Sequence, residues 1–283
     1  MAAHRVGVLS LVLASAALCA VLAAAAAEQK EDITLYYFPS RGRAEAVRVT
    51  LEFLGLSYTD HRFEGDEWQS SMKRSGQFAF EQVPGLHFCP DGAAGGGCVD
   101  LVQSHAIMKF LDTTYGRYSE LSPAEQAFVD MAVGGVEDFR SKLSRHVYSP
   151  TGADDLPGYL ADAAPVWLEH FERLLDPERS VAKRDGRLEG PFICGAEPCH
   201  ADLFLYVALD NHLRLAGPRM LDGFTRLQNL QASIAAHPRI VDYETSGRRP
   251  DFPNGASASL DNAGNPAPFP DATASISAVA TEL

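Results

Sequence analysis

The chain has 283 residues, with 24 Lys and Arg against 37 Asp and Glu, and a formal net charge of −13 at pH 7. That balance excludes a nucleic-acid partner, because phosphate binding needs a surplus of cations; an anionic small ligand stays open where positive charge gathers locally. A hydrophobic fraction of 46% and a charged fraction of 22% are ordinary for a soluble globular protein of one or two domains.

Residues 1–27 read as a targeting segment. His4 and Arg5 precede an apolar run from Val6 to about Ala27, which ends in small residues ahead of Glu28-Gln29-Lys30. This is the order of a secretory signal peptide, and it predicts a secreted or secretory-pathway protein with no membrane association after cleavage. An uncleaved anchor and a bipartite plastid signal begin in the same way.

From Asp32 to about Gly116 the pattern alternates strand and helix. Ile33 to Phe38 is a strand, broken by Pro39-Ser40-Arg41-Gly42. Ala44, Val47, Leu51 and Leu54 follow at helical spacing, with Gly55 where a C-cap falls. Ser57 to Phe63 is a second strand. Gly85 to Phe88 and Val99 to Val102 form a hairpin across a long Gly-rich connection, and Ser104 opens another helix. The order β-α-β-(loop)-β-β-α describes an α/β layer over 32–116. After Tyr118 the strands stop. Ser122-Pro123-Ala124-Glu125 is a helix start with a capping box and Pro at the first helical position. That helix runs to about His146 or Tyr148. Further helices are expected over about 156–175, 201–215 and 224–236, with a short one after Pro238, giving an all-α unit over 122–250. Residues 251–283 are rich in Pro, Asn, Ser, Ala and Gly, and predict a disordered tail.

Three stretches carry chemistry. Tyr37 ends the first strand, so its hydroxyl faces the start of the next helix, with Arg41 and Arg43 within a turn. A thiol placed there meets a hydrogen-bond donor, helix N-terminal amides and positive charge, all of which favour the thiolate. Lowering a thiol pKa by about two units from ~8.5 needs roughly 2.7 kcal/mol. Taken alone, a tyrosine at a strand end is more often a core residue, and the Arg-Gly-Arg neighbour shifts that only modestly. Gln82-Val83-Pro84 precedes an apolar strand; a cis proline there would leave the preceding residue extended, with its backbone open to a peptide, although taken alone the motif reads as a plain loop before an edge strand. Gln103-Ser104 sits at a strand-to-helix junction, where amides and a hydroxyl suit a carboxylate.

Taken in order, Tyr37-Phe38-Pro39-x-Arg41-Gly42-Arg43, Trp68, Gln82-Val83-Pro84 and Val102-Gln103-Ser104-x-Ala106-Ile107 resemble the cytosolic-type glutathione transferases over about Ile33 to Pro250. Val129-Asp130-Met131 with Gly135-Val136-Glu137-Asp138 resembles the pi class, and Tyr58-Thr59-Asp60-His61-Arg62 the sigma class. The resemblance implies a thioredoxin-like domain followed by an all-helical domain, working as a homodimer. Glutathione is then the co-substrate, with no prosthetic group and no metal. Tyr37 becomes the catalytic hydroxyl on the glutathione sulfur and Arg43 its neighbour. Trp68 with Lys73 or Arg74 takes the glycine carboxylate. Gln82, Val83 and Pro84 form the cysteinyl-backbone site, and Gln103 and Ser104 hold the γ-glutamyl group. Asp138 reaches the partner's glutathione, Tyr148 lines the pocket for an apolar electrophile, and Phe80 is an aromatic key inserted into the partner subunit. The sequence departs from the family between Trp68 and Gln82, in the enlarged hairpin connection, and at Cys199, where the family has a Ser or Thr cap.

Rival readings are a glutathione-dependent prostaglandin-type isomerase and a non-catalytic carrier of apolar ligands. A thiol-disulfide oxidoreductase is disfavoured because no cysteine follows the first strand and no C-x-x-C pair exists. Cys89 and Cys98 flank the hairpin connection and are expected to pair as a disulfide in an oxidising compartment, the alternative being two free thiols. Cys194, Cys199 and His200 match no zinc spacing and are read as core.

Overall fold

The computed structural model describes residues 31–90, 97–180 and 188–251, with positions 183, 186, 253, 254 and 258. The expected targeting segment, most of the Gly-rich connection and most of the expected tail lie outside the described residues. No helix among them is long and apolar enough to cross a membrane.

Strand β1 (Asp32–Tyr37) alternates in burial, with Ile33, Leu35 and Tyr37 pointing into the core, as period-two side-chain geometry requires. It pairs in parallel with β2 (Thr59–Arg62) and antiparallel with β3 (Gly85–Cys89), and β3 pairs with β4 (Val99–Val102) in a sheet ordered β2-β1-β3-β4. Helix α1 (Glu45–Leu54) follows β1 through a 3-10 turn (Gly42–Ala44) and ends on Gly55 at φ 74°, the expected left-handed cap. Helix α2 (Ser104–Tyr115) leaves β4 directly. Between β2 and β3 the expected loop holds one π-helical turn (Trp68–Met72) and ends at a cis Val83–Pro84 bond.

The rest is helical. Helix α3 (Pro123–Val147) begins with the predicted capping box between Ser122 and Glu125. The single helix expected over 156–175 is instead three pieces: α4 (Gly152–Gly158), a π-helical turn (Tyr159–Ala163) and α5 (Ala164–Leu174). Pro157 and Pro165 explain the division, since each lacks the N–H a continuous ladder needs and crowds the preceding turn. Helices α6 (His200–Ala216), α7 (Thr225–Ala235) and α8 (Pro238–Thr245) complete the unit.

One continuous apolar core runs from Ile33 in β1 through both units to Tyr243. Polar clips reinforce the junction. Asp112 on α2 accepts from the His200 backbone N–H (3.0 Å) and pairs with its ring Nδ1 (2.7 Å) at the start of α6. Arg249, beyond α8, pairs with Glu45 (2.7 Å), Glu244 (2.8 Å) and Asp210 (2.6 Å). Fully buried Arg48 meets Asp60 (3.0 Å) and the Ser40 carbonyl (2.9 Å), holding the β1–α1 turn against β2.

Disulfides join Cys89 to Cys98 and Cys194 to Cys199. The first is the expected pair. The second adds to the core reading of Cys194 and Cys199, which holds, that the two are cross-linked, and corrects the reading of Cys199 as a free thiol at the cap position. Both are buried, and the cross-link ties the loop before α6 to its first turn. Asp202 at the third helical position accepts from the backbone N–H of Ile193 (2.7 Å) and Cys199 (3.1 Å), the reverse half of a capping box, which ties the preceding loop to the start of α6.

Candidate functional site

Tyr37 is carried to the C-terminal edge of the sheet by β1, and its ring is 2% exposed. Its hydroxyl accepts the Arg43 backbone N–H at 3.0 Å. The approach of that turn depends on Gly42, whose φ is +42° and where an added Cβ would stand 2.4 Å from the Tyr37 Oη. A phenol that accepts from a helix-start amide is polarised to donate its own proton more strongly. The hydroxyl lies in a cleft between the two units, lined by Ser104 at the start of α2, Arg140 on α3 and Tyr148 at the C-cap of α3.

Of the candidate residues, Tyr37, Arg43, Ser104 and Tyr148 line this one cleft. Gln103 is exposed and adopts φ 75°, ψ 108°, a strained conformation for a residue with a side chain. Trp68 lies outside that cleft, packed with Phe63 and Phe78, and its buried indole N–H has no hydrogen-bond partner among the described residues. Lys73 caps the same π-helical turn, its backbone N–H on the Trp68 carbonyl at 2.8 Å, and is half-buried, whereas Arg74 is exposed. Gln82 and Val83 are half-buried ahead of buried Pro84 and its cis bond. Asp138 is exposed on α3 and does not enter the cleft of its own chain. Phe80 is 65% exposed, the most exposed of the large apolar side chains described.

The sequence reading missed Glu137. Its carboxylate accepts from Arg43 (3.2 Å), Arg140 (two bonds, 2.9 Å each) and Ser141 (2.8 Å), and contacts the His105 ring at 3.2 Å. Burial alone would raise its pKa; hydrogen bonds from Arg140 and His105, with the Arg140 and Arg43 charges, outweigh that and hold the carboxyl far below the usual range. The Glu137–Arg140 spacing is an ordinary i, i+3 helix pair, and nothing in it marks a site 94 residues from Arg43. Asn211 and Arg214 on α6 and Asn254 also line the cleft and were not foreseen. Arg43, Arg140 and Arg214 thus face a cleft with Glu137 beside it, a local excess of positive charge on a chain of net charge −13. Pro253 reaches the same cleft, its carbonyl accepting the Gly42 N–H at 3.1 Å.

Residues 137–247 match the family model described as glutathione S-transferase, C-terminal domain. Glutathione S-transferase P 1 of Bufo bufo is 32% identical over 218 residues, covering 76% of this chain and 92% of that protein. The glutathione S-transferase of Plasmodium falciparum is 29% identical over 220 residues, covering 76% and 96%. The Onchocerca volvulus pi-class glutathione S-transferase structure superposes with a TM-score of 0.64 at 30% identity, over 80% of this chain and 99% of that one. Rat hPGDS complexed with a quinoline, at 24% identity and a TM-score of 0.59 over 79% and 100%, shares the fold. With a thioredoxin-like sheet, a helical second unit and relatives of this identity matched over nearly their whole length, the chain belongs to the glutathione S-transferase family.

Proposed function

We propose that the chain binds glutathione against the sheet edge and conjugates its sulfur to electrophiles, with Tyr37 as the hydroxyl that donates to the thiolate. The observation that carries this reading is the Tyr37 Oη in the interdomain cleft, polarised by the Arg43 amide at 3.0 Å. Trp68 and Lys73 take the glycine carboxylate, because the buried indole N–H lacks an acceptor and Lys73 shares its turn. Gln82 and Val83 meet the cysteinyl backbone beside the cis Pro84, and Gln103 and Ser104 hold the γ-glutamyl carboxylate at the start of α2. With an aryl chloride the sulfur forms a C–S bond, the C–Cl bond breaks and chloride leaves; the thiol proton has already gone to solvent. Positioning and an ionised sulfur suffice, so no covalent enzyme intermediate is needed.

Dimerisation supplies Asp138 of the partner subunit, with Phe80 as the inserted apolar key; their exposure supports this assignment. Tyr148, with Phe204 and Val207, forms the apolar wall for the second substrate. The protein works in the secretory pathway, a placement supported by two disulfides among the described residues.

Tyr37→Phe tests the mechanism. One hydrogen bond to a charged group contributes about 1.5–3 kcal/mol, so turnover of 1-chloro-2,4-dinitrobenzene should fall roughly tenfold to a hundredfold. The pH profile should shift toward the free-thiol value of about 8.5. An unchanged rate and profile would overturn the assignment.

A further inference from the structure

The β3–β4 hairpin carries a second constellation that glutathione chemistry does not use. Its residues read His87-Phe88-Cys89 on one strand and Cys98-Val99-Asp100 entering the other. His87 stands opposite Asp100 and Phe88 opposite Val99, so continuing the register sets Cys89 opposite Cys98. Alternation along each strand then brings His87, Cys89, Cys98 and Asp100 to one face. The ligand atoms of His87, Cys89 and Cys98 all lie within 4.8 Å of one another.

We propose that this hairpin is a redox-gated metal site: a disulfide when oxidised, and a zinc-type site with His87 Nε2, Cys89 Sγ and Cys98 Sγ as ligands when reduced. The hydrogen bonding already suits that use. His87 Nδ1–H donates to Asp100 Oδ1 at 2.9 Å, and Gln77 Nε2 donates to the same oxygen at 3.2 Å. The Nε2 lone pair then faces Cys89 Sγ at 3.1 Å. A disulfide sulfur has no proton to give, so this lone pair has a neighbour but no donor there. A carboxylate that fixes the outer nitrogen of a histidine whose inner nitrogen points at sulfur is the arrangement that orients imidazole on zinc. Zinc–sulfur and zinc–nitrogen bonds near 2.3 and 2.0 Å put tetrahedral ligands roughly 3.3–3.8 Å apart. Opening the S–S bond brings the two sulfurs to that separation with both strands in place. Three protein ligands leave one position for water.

The conversion balances with glutathione as reductant. Two glutathione thiols become glutathione disulfide, and their two electrons and two protons turn the Cys89–Cys98 bond into two thiols. Each thiol loses its proton as it takes the metal. No H-x-C…C-x-D spacing marks a familiar zinc motif, which is why the sequence offered no such expectation.

The test uses the full chain, reduced with a phosphine and titrated with Co²⁺. One cobalt per chain, with a thiolate charge-transfer band in the near ultraviolet and tetrahedral d–d bands in the visible, is expected; the oxidised chain should show neither. Cys98→Ser should remove at least half of the charge-transfer intensity. Asp100→Asn should weaken affinity by about tenfold to a hundredfold. Cys89 pairs with Asp32 at the opposite end of β1 from Tyr37, roughly 16 Å along the strand, so glutathione conjugation serves as the folding control. Cobalt bands of equal strength in Cys98→Ser and wild type, or none in a reduced chain that still conjugates, would overturn the proposal. Loss of conjugation by Tyr37→Phe bears on the catalytic reading alone.

Discussion

Gly42→Ala adds one methyl group and should disable the turn that holds the proposed catalytic hydroxyl. The new Cβ would stand 2.4 Å from Tyr37 Oη, 2.8 Å from Cε1 and 3.0 Å from Cζ. Ordinary carbon contacts begin near 3.5 Å, so the deficit is about 1 Å. The ring is 2% exposed and packs edge-on against Phe38, so it has no room to withdraw. Relief comes from lifting the 41–43 turn or tilting the ring, and either stretches the 3.0 Å bond from the Arg43 amide. Positive φ for alanine costs roughly 1–2 kcal/mol, and overpacking about 1–3 kcal/mol. Together these lower Tm by roughly 5–15 °C in a domain pair of this size. At 25 °C the variant should remain folded yet lose at least tenfold in kcat with 1-chloro-2,4-dinitrobenzene, because misplacement by 1 Å carries a large kinetic penalty. Gly223→Ala is the control: φ is +89° and nothing lies within 4 Å of the added Cβ, so it bears backbone strain without the clash. It should melt a few degrees lower and keep its rate. A Gly42→Ala chain with wild-type kcat would refute the claim that the turn positions the hydroxyl.

Glu137→Gln removes the carboxylate shared by Arg43, Arg140 and His105, and should cost about 1–3 kcal/mol, discounted from a fully buried pair because these side chains are partly exposed. The folded carboxyl lies below its unfolded value of about 4.3, so its contribution is present above that pH and is lost as pH falls further; denaturation in acid should be less steep in the variant. Asp202 behaves in the opposite sense. Burial, only partly offset by three backbone N–H groups and Lys183, raises its carboxyl to about 6, so stability should fall as pH rises from about 4 to 6. Asp202→Asn flattens that slope and leaves at least one buried N–H unmatched, at about 1–3 kcal/mol, measurable by urea titration across this range. In the proposed dimer, Phe80→Ser should weaken association: two phenyl rings, exposed on the single chain, would each forgo about 2 kcal/mol of burial, raising the dissociation constant roughly a thousandfold, read by sedimentation equilibrium.

Much of this was legible because the signals were local. The β1 alternation, the Gly55 cap and the Ser122–Glu125 box each lie within a few residues, and each element formed within a residue or two of its expected place. The interruption at 159–163 is also local: Pro157 and Pro165 flank it, but the amphipathic spacing runs on through both and masks the effect of their missing N–H groups. The Cys194–Cys199 bond was harder, because the four residues of irregular loop between them offer no periodicity from which to set two sulfurs together. Glu137 was harder still. Its role exists only once α3 is laid against the β1–α1 turn, and its neighbour Asp138 drew the assignment by family resemblance. Gln103 carries no hint of its positive φ, since glutamine is not a residue that favours it.

The position of the Tyr37 hydroxyl is set by both units, and for its proposed catalytic role this has a mechanistic consequence. The Arg43 backbone holds Tyr37, while its guanidinium reaches across to Glu137, which is itself held by Arg140 on α3 and His105 on α2. A shift of α3 therefore moves the donor that polarises the phenol, although α3 never touches that bond. The same carboxylate keeps Arg43 and Arg140 from presenting their full charge to the cleft. A thiolate can then be stabilised there without so strong a field that it stops being a nucleophile: sulfur nucleophilicity falls along with its pKa. Neutralising Glu137 should accordingly lower the pKa of bound glutathione and also lower the rate of the fully ionised thiolate. Simple loss of positioning would reduce the rate with no fall in that pKa. The ultraviolet absorbance of enzyme-bound thiolate against pH, measured on Glu137→Gln beside its turnover at high pH, separates the two accounts, and a raised or unchanged thiol pKa would refute the electrostatic one.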